Sequence, residues 1–188
     1  MKNKKVIICS TIKNEIKNLD NFFKKIDSFI DKFDDYHIVF VESDSTDGSV
    51  DVINNYLKNK KGNIIKKDFT EKFNRIHKLE ICRNEYLAYI KNSSPLKNFD
   101  YLIVMDADGV NNKLNVEKII NSIKKENWNA IFANQSILYY DIFALRIKNF
   151  ITTNFVSNIK KDIDNNKYKN IKKNIFKNLK KFFYLNKF

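Results

Sequence analysis

The stretch Tyr101–Gly109, Tyr-Leu-Ile-Val-Met-Asp-Ala-Asp-Gly, limits the fold more than any other. A short continuous apolar run, Leu102 to Met105, reads as a strand buried on both faces, the kind found in parallel sheets. Gly109 permits a sharp exit from it. Asp106 and Asp108, at alternate positions past the strand, then fall at the carboxyl rim of a sheet, where open α/β sheets bind ligands. Two neighbouring carboxylates repel each other, and burial penalises their charge. A hard divalent cation, Mn²⁺ or Mg²⁺, relieves both and ordinarily also holds phosphate oxygens. A solvated Asp-Gly turn is the plainer alternative.

A second segment repeats the pattern. His37-Ile38-Val39-Phe40-Val41 reads as a strand and runs into Glu42-Ser43-Asp44-Ser45-Thr46-Asp47-Gly48-Ser49. Ser45 to Ser49 is turn and cap chemistry. Glu42 and Asp44, however, repeat the spacing of Asp106 and Asp108, and two such rims in one parallel sheet can face one crevice. Val6–Cys9, Asn63–Ile65 and Ala130–Ala133 read as further strands. Helices are expected from Asn14, with Asn14 as a cap, and from Val50, over Arg75–Ile90 and over Leu114–Lys125. Strands alternating with helices predict an α/β fold with a mostly parallel central sheet and helices on both faces.

Several side chains near these junctions are candidates for binding. Thr11 and Glu15 sit where the first strand meets its helix, as caps or as ligand contacts. Arg75 and Arg83 lie about 80° apart around a helix, so they either reach one anion or are two surface cations. Asp141, alone in Tyr139-Tyr140-Asp141-Ile142, is either a buried hydrogen-bonded acid or a reacting carboxylate with a raised pKa.

Charge separates the chain into two parts. Of the net charge of +13, the residues 147–188 carry +9, from 11 Lys and 2 Asp. The basic character is therefore mostly a tail. Within it Ile171, Ile175, Phe176, Leu179, Phe182 and Phe183 recur at helical spacing, opposite Lys173, Lys177, Lys180 and Lys181. That pattern suits either a helix packed on the core or a helix lying on an anionic membrane. We expect residues 1–146 to form the ligand-binding domain and 147–188 a Lys/Asn-rich helical tail. Cys9 and Cys82 have no metal-site spacing, and no apolar run is long enough to span a bilayer. A reduced, cytoplasmic setting is expected, with peripheral membrane contact through the tail.

The set Cys9-Ser10-Thr11 with Asn14-Glu15, Glu42–Ser49 and Met105-Asp106-Ala107-Asp108 resembles the nucleotide-binding half of a GT-A glycosyltransferase. Arg75, Arg83-Asn84 and Tyr139-Tyr140-Asp141 with Ala144-Leu145-Arg146 resemble, more narrowly, the capsule-associated mannosyltransferase relatives within that fold. The resemblance covers about residues 6–146. It implies a Rossmann-like sheet with a nucleotide-diphosphate sugar across its carboxyl edge. Thr11, Glu15, Glu42 and Asp44 would line the nucleotide site, with Asp44 on the base or ribose. Asp106 would meet the ribose or the metal shell. Asp108 would ligate the metal bridging the diphosphate, and Arg83 and Arg75 would neutralise phosphate. Asp141 is the catalytic candidate. The acceptor would be a glycan, a lipid-linked molecule or a protein, and no nucleic acid is expected. Two departures from the pattern stand out. No histidine follows His77 to complete a metal shell, and only 42 residues follow Arg146, so a minimal or truncated enzyme is expected.

Two other classes compete. Asp106-Ala107-Asp108-Gly109-Val110 also matches the first motif of haloacid-dehalogenase-type phosphatases, with Asp106 as nucleophile and Asp108 as general acid. That fold usually opens with this strand, and the only later acids with the required spacing are Asp162 and Asp164. A basic chain can also act without catalysis, as a module for anionic lipid or nucleic acid. Two acidic rims oppose that reading, because they repel phosphate unless a metal intervenes.

Overall fold

A computed structural model of the chain describes residues 1, 3–125 and 127–132. Asp141, the segment Tyr139–Arg146 and the tail 147–188 lie outside the described residues. Residues Met1–Asn129 form one compact unit.

Four strands, β1 (Lys5–Ile12), β2 (Asp35–Glu42), β3 (Gly62–Lys66) and β4 (Tyr101–Val104), form one sheet. Their order is β3-β2-β1-β4, and every pairing is parallel. Parallel neighbours require crossovers. These are supplied by α1 (Ile16–Ile30), α2 (Ser49–Leu57) and α3 (Arg75–Asn92), and α4 (Val116–Ile123) follows β4.

The period of two along each strand divides the core into two layers. Val6, Ile8 and Ile12 of β1 and Ile38 and Phe40 of β2 pack against α1, α2 and α4, chiefly through Leu19, Phe22, Phe29, Ile53 and Ile120. The alternate residues Ile7, Cys9, Val39 and Val41 pack against Cys82 and Tyr86 of α3. Helices therefore cover both faces, as the alternation of elements predicts. Burial pushes the Cys9 thiol up to about 12, so it is a neutral core group. Cys82 is also free and buried.

Three expectations need correction. First, β4 is not buried on both faces. Among the described residues it is an edge strand paired only with β1, and Leu102 and Val104 are 46% and 48% exposed. A continuous apolar run reports hydrophobicity and not sheet position, and here α3 lies over β1 and β2. Second, α3 buries only Cys82 and Tyr86, while Ile76 is 67% exposed. Lys78, in its first turn, pairs with Asp44 just past the end of β2, so this turn faces the polar rim. Third, Ala130, Ile131 and Phe132 are irregular and pair with no strand among the described residues. Ala133, the last residue of the expected strand, lies outside the described residues. The exit at Gly109 is as expected. Its φ is +84°, and an added Cβ would lie 3.0 Å from Asn18 Oδ1.

Candidate functional site

The strand order places a topological switch between β1 and β4. The β1–β2 connection moves one way across the sheet, and β4 is added on the other side of β1. Ligand crevices in open α/β sheets form outside the carboxyl ends of the strands at such a switch. Thr11 and Asp106 flank it, and Asp44 lies one strand further along. Both acidic segments thus occupy one edge of the sheet, as their sequence pattern predicts.

Asp44 is held on several sides. Its backbone is left-handed, with φ +50°, a conformation that Asp tolerates better than most residues. Oδ1 accepts from the Phe69 N–H at 3.0 Å. Oδ2 accepts from Lys78 Nζ at 3.0 Å and from Lys13 Nζ at 3.4 Å. The Phe69 N–H and then Lys78 hold this carboxyl down at about 2, so it is ionised across the neutral range. Lys78 Nζ also stands 4.6 Å from the centre of the Phe69 ring. One side chain thereby ties the β1–α1 loop, the segment after β3 and α3 to the end of β2. The turn at Asp44 also separates it from Glu42. Glu42 is 4% exposed, and its Oε1 accepts from the Ser45 N–H at 2.8 Å, which closes the turn.

The β1–α1 and β2–α2 loops interlock. Asn14, with φ +54°, donates its N–H to Ser45 Oγ at 3.0 Å and accepts the Thr46 N–H on Oδ1 at 2.8 Å. It is therefore not the cap expected from sequence, because its side chain is spent on the neighbouring loop. The first amides of α1 are satisfied from outside the helix. Glu15 N–H donates to Ser49 Oγ at 3.0 Å, and Ile16 N–H to Asp47 Oδ2 at 2.9 Å. Asp47 Oδ1 in turn accepts from the Ser49 hydroxyl at 2.6 Å. Desolvation opposes the charge on Asp47, but the bonds from Ser49 and Ile16 hold its carboxyl below the usual range. The Glu15 side chain accepts from Asn18 Nδ2 at 2.7 Å, next to Gly109. Thr11 is partly exposed at the end of β1.

Alternation past β4 sorts the third rim. Met105 and Ala107 are buried against the α1 and α4 layer. Asp106 follows Leu102 and Val104 onto the other face, the side of α3. There Arg83 Nη2 lies 3.5 Å from Asp106 Oδ1, with the two side chains 44% and 45% exposed. Asn111 Nδ2 donates to the Asp106 carbonyl at 2.6 Å. The exposed Asp108 accepts the Val110 N–H on Oδ1 at 3.2 Å, so the plain Asp-Gly turn is also present.

Of the two α3 arginines, Arg83 is the one paired at the rim. The two are close in angle and about 12 Å apart along the helix, and Arg75 makes no ion pair among the described residues, so an anion shared by both belongs to the proposed function. The second cation of α3 at the rim is Lys78. Lys13, Lys78 and Phe69 were not singled out from sequence. Their contacts to Asp44 cross 25 to 34 residues, and no local spacing announces them.

Among the described residues, no three His, Cys, Asp or Glu side chains converge as a metal cage. Two rim carboxylates still suit a magnesium-like ion, which keeps several waters and binds through one or two carboxylates plus substrate phosphates. The donor set thus fits a cation held jointly with a diphosphate and not by protein alone.

The protein-family model for glycosyl transferase family 2 matches residues 7–185. No curated protein matches the chain. The chain belongs to glycosyl transferase family 2, a glycosyltransferase family whose members act on a sugar donor and an acceptor. This sets the phosphatase reading of Asp106 and Asp108 aside. No helix among the described residues is long and apolar enough to cross a membrane.

Proposed function

We propose that this member of glycosyl transferase family 2 moves a sugar from a nucleotide-diphosphate donor to an acceptor, with Mn²⁺ or Mg²⁺ at the diphosphate. The observation that carries the reading is the placement of Asp44 and Asp106 on one edge of a parallel sheet, each facing a cation from α3. The donor lies along that edge. Its base and ribose fall toward Asp44 and Thr11, and its diphosphate toward Asp106, Asp108 and Arg83. When bound, the metal neutralises the diphosphate as it departs from the sugar. The chain's own part is to orient the donor and to add charge. Asp44 fixes the walls of the nucleotide end by joining three segments, Glu42 and Asp47 hold the loops beneath it, and Arg83 supplies positive charge where the leaving group develops negative charge. Asp141 is assigned as the reacting carboxylate on its sequence context.

The narrower likeness to the capsule-associated mannosyltransferase relatives makes mannose a sugar to test first. A thermal-shift panel of nucleotide-diphosphate sugars, with and without manganese, tests the reading. One donor should raise the melting temperature only when metal is present, by the ordinary linkage of binding to stability. A panel with no metal-dependent shift would count against it. Contact of the basic tail with a membrane belongs to the same proposal. Co-sedimentation with anionic vesicles at low salt is expected, and its absence would remove that part.

A further inference from the structure

The two α3 cations that face the rim are held very differently. Lys78 is locked, because it shares Asp44 with the Phe69 amide and Lys13 and stands against the Phe69 ring. Arg83 is loose. It reaches Asp106 through one nitrogen at 3.5 Å, the outer limit of a hydrogen bond, and both side chains are almost half exposed. A pair of that kind contributes little and breaks easily. The neighbouring acid on α3, Glu85, is paired with Lys67, so it does not compete for the guanidinium. Arginine carries five donors in a planar fork that suits phosphate oxygens, and among the described residues one long contact leaves most of them unused.

We infer that Arg83 is an exchangeable counter-ion, serving Asp106 at one stage and the donor's diphosphate at another. This rests on the proposed nucleotide-diphosphate reading. The physical reason is competition for a single atom. Asp106 Oδ1, the oxygen that Arg83 faces, is also a hard ligand for a divalent cation. A cation arriving alone must displace the guanidinium and then bear its repulsion. A cation arriving with a diphosphate brings anionic oxygens to which Arg83 can move, so the displaced charge is satisfied at once. Arg83 therefore disfavours metal by itself and favours metal with phosphate, and so sets the order of loading.

The test is calorimetry with two probes, manganese alone and inorganic pyrophosphate in the presence of manganese. Pyrophosphate carries the diphosphate charge without base or sugar. For Arg83→Gln, manganese alone should bind about threefold more tightly, since a weak opposing pair is removed. Pyrophosphate with manganese should bind roughly tenfold more weakly, since a charge-assisted contact is lost. Arg83→Lys keeps the charge and should return both affinities toward wild type. Circular dichroism should be unchanged, because the side chain is exposed. Changes in the same direction with both probes would overturn the inference, because that is what a residue merely steadying Asp106 would give. No change with either probe would overturn it too. If the wild-type protein bound neither probe, the nucleotide-diphosphate reading itself would fall, and the inference with it.

Discussion

Asp44→Asn isolates the charge that joins three segments of the rim. The folded carboxyl titrates at about 2 against an ordinary 3.8, because the Phe69 N–H and Lys78 favour the anion. That difference corresponds to about 2 kcal/mol at neutral pH. It is an upper bound, since the side chain is 27% exposed and water screens both lysines, which leaves about 1–2 kcal/mol. The sign follows from the depressed pKa. The stabilisation is complete above the unfolded value and is lost as pH falls from about 5 through the folded value near 2. Asparagine keeps an oxygen for the Phe69 N–H but not the charge for the lysines. Urea unfolding of both proteins at pH 7, 5, 4 and 3 reads the difference directly. The variant should be about 1–2 kcal/mol less stable at pH 7 and 5, with the gap shrinking steadily at pH 4 and 3. A gap of the same size at pH 7 and pH 3 would show that the charge on Asp44 is not what holds these segments.

Other substitutions probe separate parts of the edge. Asp47→Ala removes the acceptor for the Ile16 N–H and for the buried Ser49 hydroxyl. It should lower stability by roughly 2 kcal/mol in urea unfolding, about what a lost cap plus an orphaned buried donor costs. A change below about 0.5 kcal/mol would mean that water replaces the trans-cap. Asp141→Asn should lower kcat at least about tenfold with little change in donor KM if the carboxylate acts in the chemical step. Equal loss in both would demote it to a structural acid.

Much of this edge was legible in the sequence, and the limits of that reading have physical causes. Apolar runs placed β1, β2 and β4, and the acids that end two of them put Asp44 and Asp106 on one edge, because parallel strands all point the same way. Position within the sheet was not legible. Leu102 and Val104 read as interior residues, yet β4 is an edge strand among the described residues, since no local pattern states a strand's neighbours. Asp47 and Ser49 were recognised as cap residues, but besides the first N–H of α2 they also satisfy amides at the start of α1, which precedes them in the chain. Glu42 shared Asp44's spacing until one left-handed residue sent the two carboxylates to different partners. Lys13 and Lys78 were invisible because ion pairs across 31 and 34 residues leave no trace in spacing.

Asp108→Asn bears most directly on the proposed use of this edge. The amide keeps the size of the side chain and an acceptor for the Val110 N–H, but it loses the charge that a hard cation needs. The donor identified by the panel is titrated by calorimetry into wild type and variant, with manganese and with chelator. The account predicts tight binding only for wild type with manganese, and for the variant the weak, metal-independent binding that wild type shows with chelator. Equal affinity of the two proteins in manganese would contradict it.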